Sequence, residues 1–193
     1  MFGKRKYEFK PDRGEGTLKK LYLTPIQRKR LLKWGAVSLV LVVLSLLQDV
    51  VLCRIQISGS TFDMAVCGIL LCGMFFDPET TAVFTLISST LYYFSGTAPG
   101  TYSIALITGL GTLLCIFRRN YLQRCFSATM LCAAAGMFLY ELGVFAIGWF
   151  VGNTTLDRLG VFALCGVLSV AVMPLLYPLF LSISNIGGES WKE

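Results

Sequence analysis

The chain contains no histidine, and only 15% of its 193 residues are charged. Without imidazole it lacks the side chain that most often moves protons near neutral pH, and also the commonest zinc ligand. The thin charge argues against an ordinary soluble domain, in which about a quarter of residues are charged. Charge is also scarce in most of the chain. Of 17 Lys and Arg, 11 lie at or before Lys33, which leaves six for the remainder. Basic segments interleaved with aromatics are absent, so no nucleic-acid partner is expected. A cleavable leader is not expected either, because about thirty mostly polar residues precede the first apolar run and no small-residue cleavage site follows it.

What the chain has instead is apolar length. Hydrophobic residues make up 55% of it and the mean hydropathy is +0.68. The stretch from Arg28 to Arg54 sets the organisation of the rest. Between Trp34 and Cys53 its polar residues are Ser38, Ser45, Gln48 and Asp49. Roughly 20 residues at about 1.5 Å each span a hydrocarbon core of about 30 Å, so this is a transmembrane helix. Arg28, Lys29, Arg30 and Lys33 crowd one end and Arg54 stands at the other. The positive-inside bias therefore places the N-terminus in the cytoplasm. Helix one is expected to start at a capping box of Thr24, Pro25 and Gln27 and to run to Cys53.

Five further apolar runs follow, Thr61–Phe76, Thr80–Phe94, Tyr102–Phe117, Phe126–Val151 and Leu159 to about Ile183. They are separated by Asp77-Pro78-Glu79, by a turn at Ser95–Thr101, by a loop with Arg118, Arg119 and Arg124, and by Gly152–Arg158. Several runs are short for spans, which favours helices packed among helices. Pro174 and Pro178 should kink or break the sixth. The expected fold is an all-α membrane protein, a six-transmembrane-helix bundle with both termini cytoplasmic. Residues 1–30 form a basic arm that meets anionic lipid through Lys19, Lys20 and Tyr22, residues 31–186 the membrane domain, and residues 187–193 a short tail.

The seven cysteines fall mostly in apolar runs, where a thiol behaves as a small hydrophobe, and their spacings are not those of a zinc site. No metal or cofactor is expected. Small residues recur at one-turn spacing, Ala105 with Gly109 and Cys132 with Gly136, and core packing between helices of the bundle is the favoured role.

The polar residues within apolar runs are the candidates for function. Counting from the cytoplasmic ends, Asp49 and Glu141 each rise roughly 21 to 22 Å and share a depth in the outer half. Gln48 and Tyr140 flank them, and Asp63 opens span two as its cap. An ionisable group in a span costs on the order of 2.5 to 3.5 kcal/mol and normally faces the bundle interior or a wet cavity. No nucleophile or metal motif accompanies the carboxyls, so the chain is read as not an enzyme.

The order of these features resembles the rod-shape-determining membrane protein MreD family. The resemblance rests on LSLLQDVVL at the end of span one, Phe62-Asp63 after a short loop, and the turn from Ser95-Gly96 to Pro99-Gly100. Leu139-Tyr140-Glu141-Leu142 and Leu176-Tyr177-Pro178-Leu179 complete it. It covers about Leu44 to the end of span six. Where the family carries an Asp at the end of the third span this chain has Tyr92, and Phe62-Asp63 stands where Pro-Asp is frequent. The resemblance implies a fold similar to energy-coupling-factor transporter S components. It also implies a non-enzymatic scaffold of the bacterial elongation (rod) complex, which regulates cell shape and peptidoglycan synthesis from the cytoplasmic membrane. The implied partners are an MreC-like single-span protein and, nearby, RodA, a class B penicillin-binding protein and MreB. The competing expectation is the substrate-binding S component of a vitamin transporter, with an outer-half pocket lined by Gln48, Asp49, Tyr140 and Glu141. A proton-coupled carrier could use the same carboxyls but would show inverted repeats, and no internal repeat is evident.

Overall fold

A computed structural model describes residues 25–57, 59–122 and 125–186 of the chain. The bulk of the basic arm, its Thr24 cap, Arg124 and the 187–193 tail lie outside the described residues. Within them the protein folds into six α-helices, α1 (Pro25–Val50), α2 (Met64–Gly73), α3 (Pro78–Phe94), α4 (Tyr102–Tyr121), α5 (Phe126–Phe150) and α6 (Leu159–Ser184). Four of these, α1, α4, α5 and α6, are long and apolar enough to cross a membrane. The helix α3 has 17 residues and α2 only 10. Of the six expected spans, four are thus of spanning length, and the two between α1 and α4 are shorter.

The shortest helix is the centre. Each of the other five packs on α2, and α2 is buried from Ala65 to Gly73. Around it the neighbours run α1, α6, α5, α4, α3, while α1 and α3 do not pack along their length. What joins those two is Trp34, stacked on Phe76 at 5.0 Å and tilted against Phe84 at 5.5 Å. A helix apolar all round has no preferred outer face, and here that pattern belongs to an element enclosed by protein.

Glycine sets how closely the ring approaches the hub and itself. A methyl added at Gly68 would meet Leu44 Cδ1 at 2.6 Å, and one at Gly136 would clash with Leu114 Cδ1. Cys132 and Gly136 thus do serve packing between helices. Ala105 and Gly109 do not, since both are exposed and nothing lies within 4 Å of a methyl at Gly109.

Other expectations change in detail. α1 ends at Val50 and passes into a 3-10 turn, Leu52–Arg54, short of a continuous helix to Cys53. Thr61, Phe62 and Asp63 are non-helical and belong to the approach to α2. α6 runs unbroken through Pro174 and Pro178. Each proline removes one N–H from the ladder, and the neighbouring bonds carry the helix through.

The two ends of the bundle differ in charge. Arg28, Lys29, Arg30, Lys33, Arg118 and Arg119 gather at one end with Asp77 and Glu79, and Asp49, Asp63, Glu141 and Asp157 lie toward the other with Arg54 and Arg158. At the basic end the C-terminal carbonyls of α2 are taken up from outside it. Buried Arg118 of α4 donates to the Met74 carbonyl and lies over the Phe75 ring at 5.6 Å. Thr81 Oγ1 donates to the Gly73 carbonyl at 2.8 Å, and the Cys115 thiol to that of Phe76 at 3.3 Å. A cation at a helix C-terminus complements the partial negative charge of the exposed carbonyls. Further out, Arg119 pairs with Asp77 at 2.9 Å across largely exposed surface.

Candidate functional site

The acidic-end terminus of α2 is where the buried polar side chains meet. Asp63 is the N-cap, and its Oδ1 accepts from the Val66 N–H at 3.3 Å. That is the role expected of an Asp placed just before an apolar helical run. Its other oxygen accepts from the Tyr92 hydroxyl at 2.9 Å, and its own N–H donates to Ser169 Oγ at 2.9 Å. α3 and α6 are thereby tied to the first turn of α2 through one residue, which is itself 8% exposed.

Gln48 of α1 completes the cap from another side. Its Nε2 donates to the Phe62 carbonyl at 2.5 Å and its Oε1 accepts from the Met64 N–H at 2.9 Å. A single amide supplies both a donor and an acceptor to the backbone on either side of Asp63. Non-helical backbone within a membrane bundle must find its partners inside the protein, and Gln48 provides two of them.

The α5–α6 side adds Glu141, Tyr140 and Cys165. The Cys165 thiol lies 3.0 Å from the Thr61 carbonyl and 3.2 Å from Glu141 Oε1, so it stands as a donor between the approach to α2 and the carboxyl of α5. The Cys67 thiol of α2 donates to the Ser169 carbonyl at 3.4 Å, and Ser60 Oγ donates to the Val161 carbonyl at 2.8 Å. Gly166 lets α6 approach α5 here, since a methyl on it would lie 3.1 Å from the Phe138 ring, one turn from Glu141. The Tyr140 side chain is 1% exposed, and its hydroxyl stands beside Tyr92 with Asp63 and Glu141 in electrostatic reach, in no well-formed hydrogen bond.

Four of the five sequence candidates, Gln48, Asp63, Tyr140 and Glu141, therefore converge around one helix terminus. Asp49 does not join them. It sits one position further round α1, half-buried, with Oδ1 enclosed and without a hydrogen-bond partner. A cavity lining shared by Gln48 and Asp49 does not match this arrangement, because Gln48 turns inward onto backbone. Tyr92, Cys165 and Ser169 were not among the candidates, and they are the side chains that connect Asp63 and Glu141 to α3 and α6. All seven cysteines are free, and two of them act as hydrogen-bond donors in this cluster. Among the described residues no set of three His, Cys, Asp or Glu gathers as a metal site.

Chemically, the arrangement fixes a helix end. Asp63 receives a backbone N–H and a phenol, Gln48 bridges two backbone groups, and Glu141 and Tyr140 retain hydrogen-bonding capacity beside them. Comparison with protein-family models, curated proteins and solved structures finds no match to the chain.

Proposed function

We propose that this protein is a non-enzymatic membrane scaffold of the MreD type, which binds an MreC-like single-span protein within the bacterial elongation machinery. One observation carries the reading. Leu139–Leu142 lies far along the chain from LSLLQDVVL and Phe62-Asp63, yet Gln48, Asp63, Tyr140 and Glu141 from the three stretches meet at the acidic-end terminus of α2. Stretches that resemble one family in order and spacing thus behave as parts of one structural unit. Tyr92, which stands in place of the family's Asp, donates its hydroxyl to Asp63, so the departure falls inside the same unit.

A scaffold needs a rigid bundle with outer helix faces left for partners, and the polar groups at the hub serve rigidity. In this reading the basic end is cytoplasmic, with arginine and lysine on the side the positive-inside bias favours. The basic arm then adds attraction to anionic lipid, worth about 1 kcal/mol for each Lys or Arg near the surface.

The test is affinity purification of the tagged chain from bacterial membranes in mild detergent, with identification of co-purifying proteins. Recovery of an MreC-like single-span protein with RodA or its penicillin-binding partner is the expected result. Recovery of a transporter ATPase module would replace the scaffold with the S-component reading.

A further inference from the structure

The outward surface of α1 is not uniform. Gln48 turns inward, and the three remaining polar residues between Trp34 and Val50, namely Ser38, Ser45 and Asp49, are spaced i, i+7, i+11 and so share one face. Trp34 lies on the same side of the helix, four residues before Ser38, and faces α3 through Phe84. Beyond that stacked ring α1 and α3 do not pack along their length, and among the described residues the stripe is open at Ser38 and half-buried at Ser45 and Asp49. Ser38 is exposed, Val42 between the serines is 48% exposed, and Gly35 has open space around it. The other outward positions, Leu32, Leu39, Val43, Leu46 and Val50, are purely apolar, as a lipid-facing surface should be.

Many hydroxyls elsewhere in the bundle are satisfied by their own helix. Thr85, Thr90, Thr112, Thr129 and Ser182 return their hydroxyls to a carbonyl one turn back. Among the described residues neither Ser38 nor Ser45 makes a side-chain hydrogen bond, and Asp49 has neither a hydrogen bond nor an ion pair. A carboxyl at the margin of a span, with one oxygen enclosed and no partner, is costly against lipid. Two small hydroxyl residues below it permit a close helix approach and interhelical hydrogen bonds.

We propose that this stripe is the docking face for one membrane-spanning helix of a different protein. That helix carries a Lys or Arg at the depth of Asp49 and small residues where it crosses Ser38 and Ser45. Charge complementarity selects the occupant, because lipid tails cannot answer the carboxyl and this chain has no Lys or Arg between Trp34 and Val50 to offer in a parallel copy. The proposal rests on the scaffold reading and supplies the surface through which the scaffold would hold a single-span partner.

The test uses the full chain reconstituted in lipid vesicles with a synthetic membrane-spanning Leu/Ala peptide that carries one Lys near its outer end, and the same peptide with norleucine in its place. Association is read by energy transfer between dyes on peptide and protein. The Lys peptide should bind at least about fivefold more tightly. Asp49→Asn should abolish that preference, and because Asp49 makes no internal hydrogen bond its thermal stability in detergent should match the parent. Ser45→Ile, which blocks the face and leaves the carboxyl in place, should weaken both peptides. Equal binding of the two peptides, or a Lys preference that survives Asp49→Asn, overturns the proposal. Self-association of the chain that excludes the peptide assigns the face to a second copy and overturns it as well. Because the peptide assay does not depend on any cellular partner, its failure is distinguishable from failure of the affinity purification.

Discussion

The two ends of α2 are held by opposite means. At the acidic end the helix supplies its own cap, Asp63, side chains from α1 and α6 close on the flanking backbone and Tyr92 of α3 on the Asp63 carboxylate, with Glu141 and Tyr140 of α5 beside them. At the basic end the work falls on α3 and α4, chiefly Thr81, Cys115 and a single buried cation, Arg118. The difference follows from what each end exposes. N–H groups at a helix start can be met by any acceptor, so hydroxyls, amides and carboxyls share the task. Carbonyls at a helix end accept only donors, and one guanidinium offers several in a fixed fork. The acidic end is thus a network with many contributors, while the basic end leans on a few.

This contrast can be broken or sharpened by substitution, read as thermal denaturation of the purified protein in detergent. Asp63→Leu should have the largest effect, about 3 kcal/mol, because it removes a helix cap and leaves the Tyr92 hydroxyl and Val66 N–H buried without an acceptor. Asp63→Asn should restore most of that loss; an unchanged midpoint for Asp63→Leu would mean the acidic end does not hold the helix. Arg118→Met should follow at about 2 kcal/mol, since the Met74 carbonyl loses a charged donor. A loss larger than that of Asp63→Leu would reverse the ranking of the two ends.

Glu141 lies third. Its observed partner is a thiol, a weak donor, so Glu141→Leu should cost about 1 kcal/mol and Glu141→Gln under about half of that. A much larger effect of Leu on complex formation in cells than on the isolated protein would identify Glu141 with partner binding in addition to packing. Arg119→Ala should be smallest, about 0.5 kcal/mol or less, because its pair with Asp77 is exposed and screened by salt. Repeating that measurement at high salt should remove even this difference.

Much of this was legible in the sequence for stated physical reasons. The rise per residue put Asp49 and Glu141 toward one end, and an Asp before an apolar run announced the cap of α2. The helix limits were readable within a few residues from proline, glycine and charge. The centrality of α2 was not readable, because a segment apolar on every side looks the same whether lipid or protein surrounds it. Spacing of small residues says that a backbone can be approached without naming what approaches, which is why Gly136 packs inside and Gly109 faces out. Tyr92, Cys165 and Ser169 carried no local signal. Their partners lie 29, 24 and 106 residues away, beyond the reach of any periodicity.

That last separation has a consequence for how the protein comes into being. The second helix to be synthesised is the hub, yet its first turn is completed by Ser169, 106 residues later. At about 5 to 20 residues per second the ribosome needs roughly 5 to 20 seconds to supply that residue. Throughout that interval the Asp63 N–H, at the head of a ten-residue helix too short to anchor itself across a bilayer, lacks the acceptor it has in the finished bundle. The nascent chain must therefore keep α2 against α1, where Gln48 already offers both halves of an amide, until α6 arrives and closes the bundle.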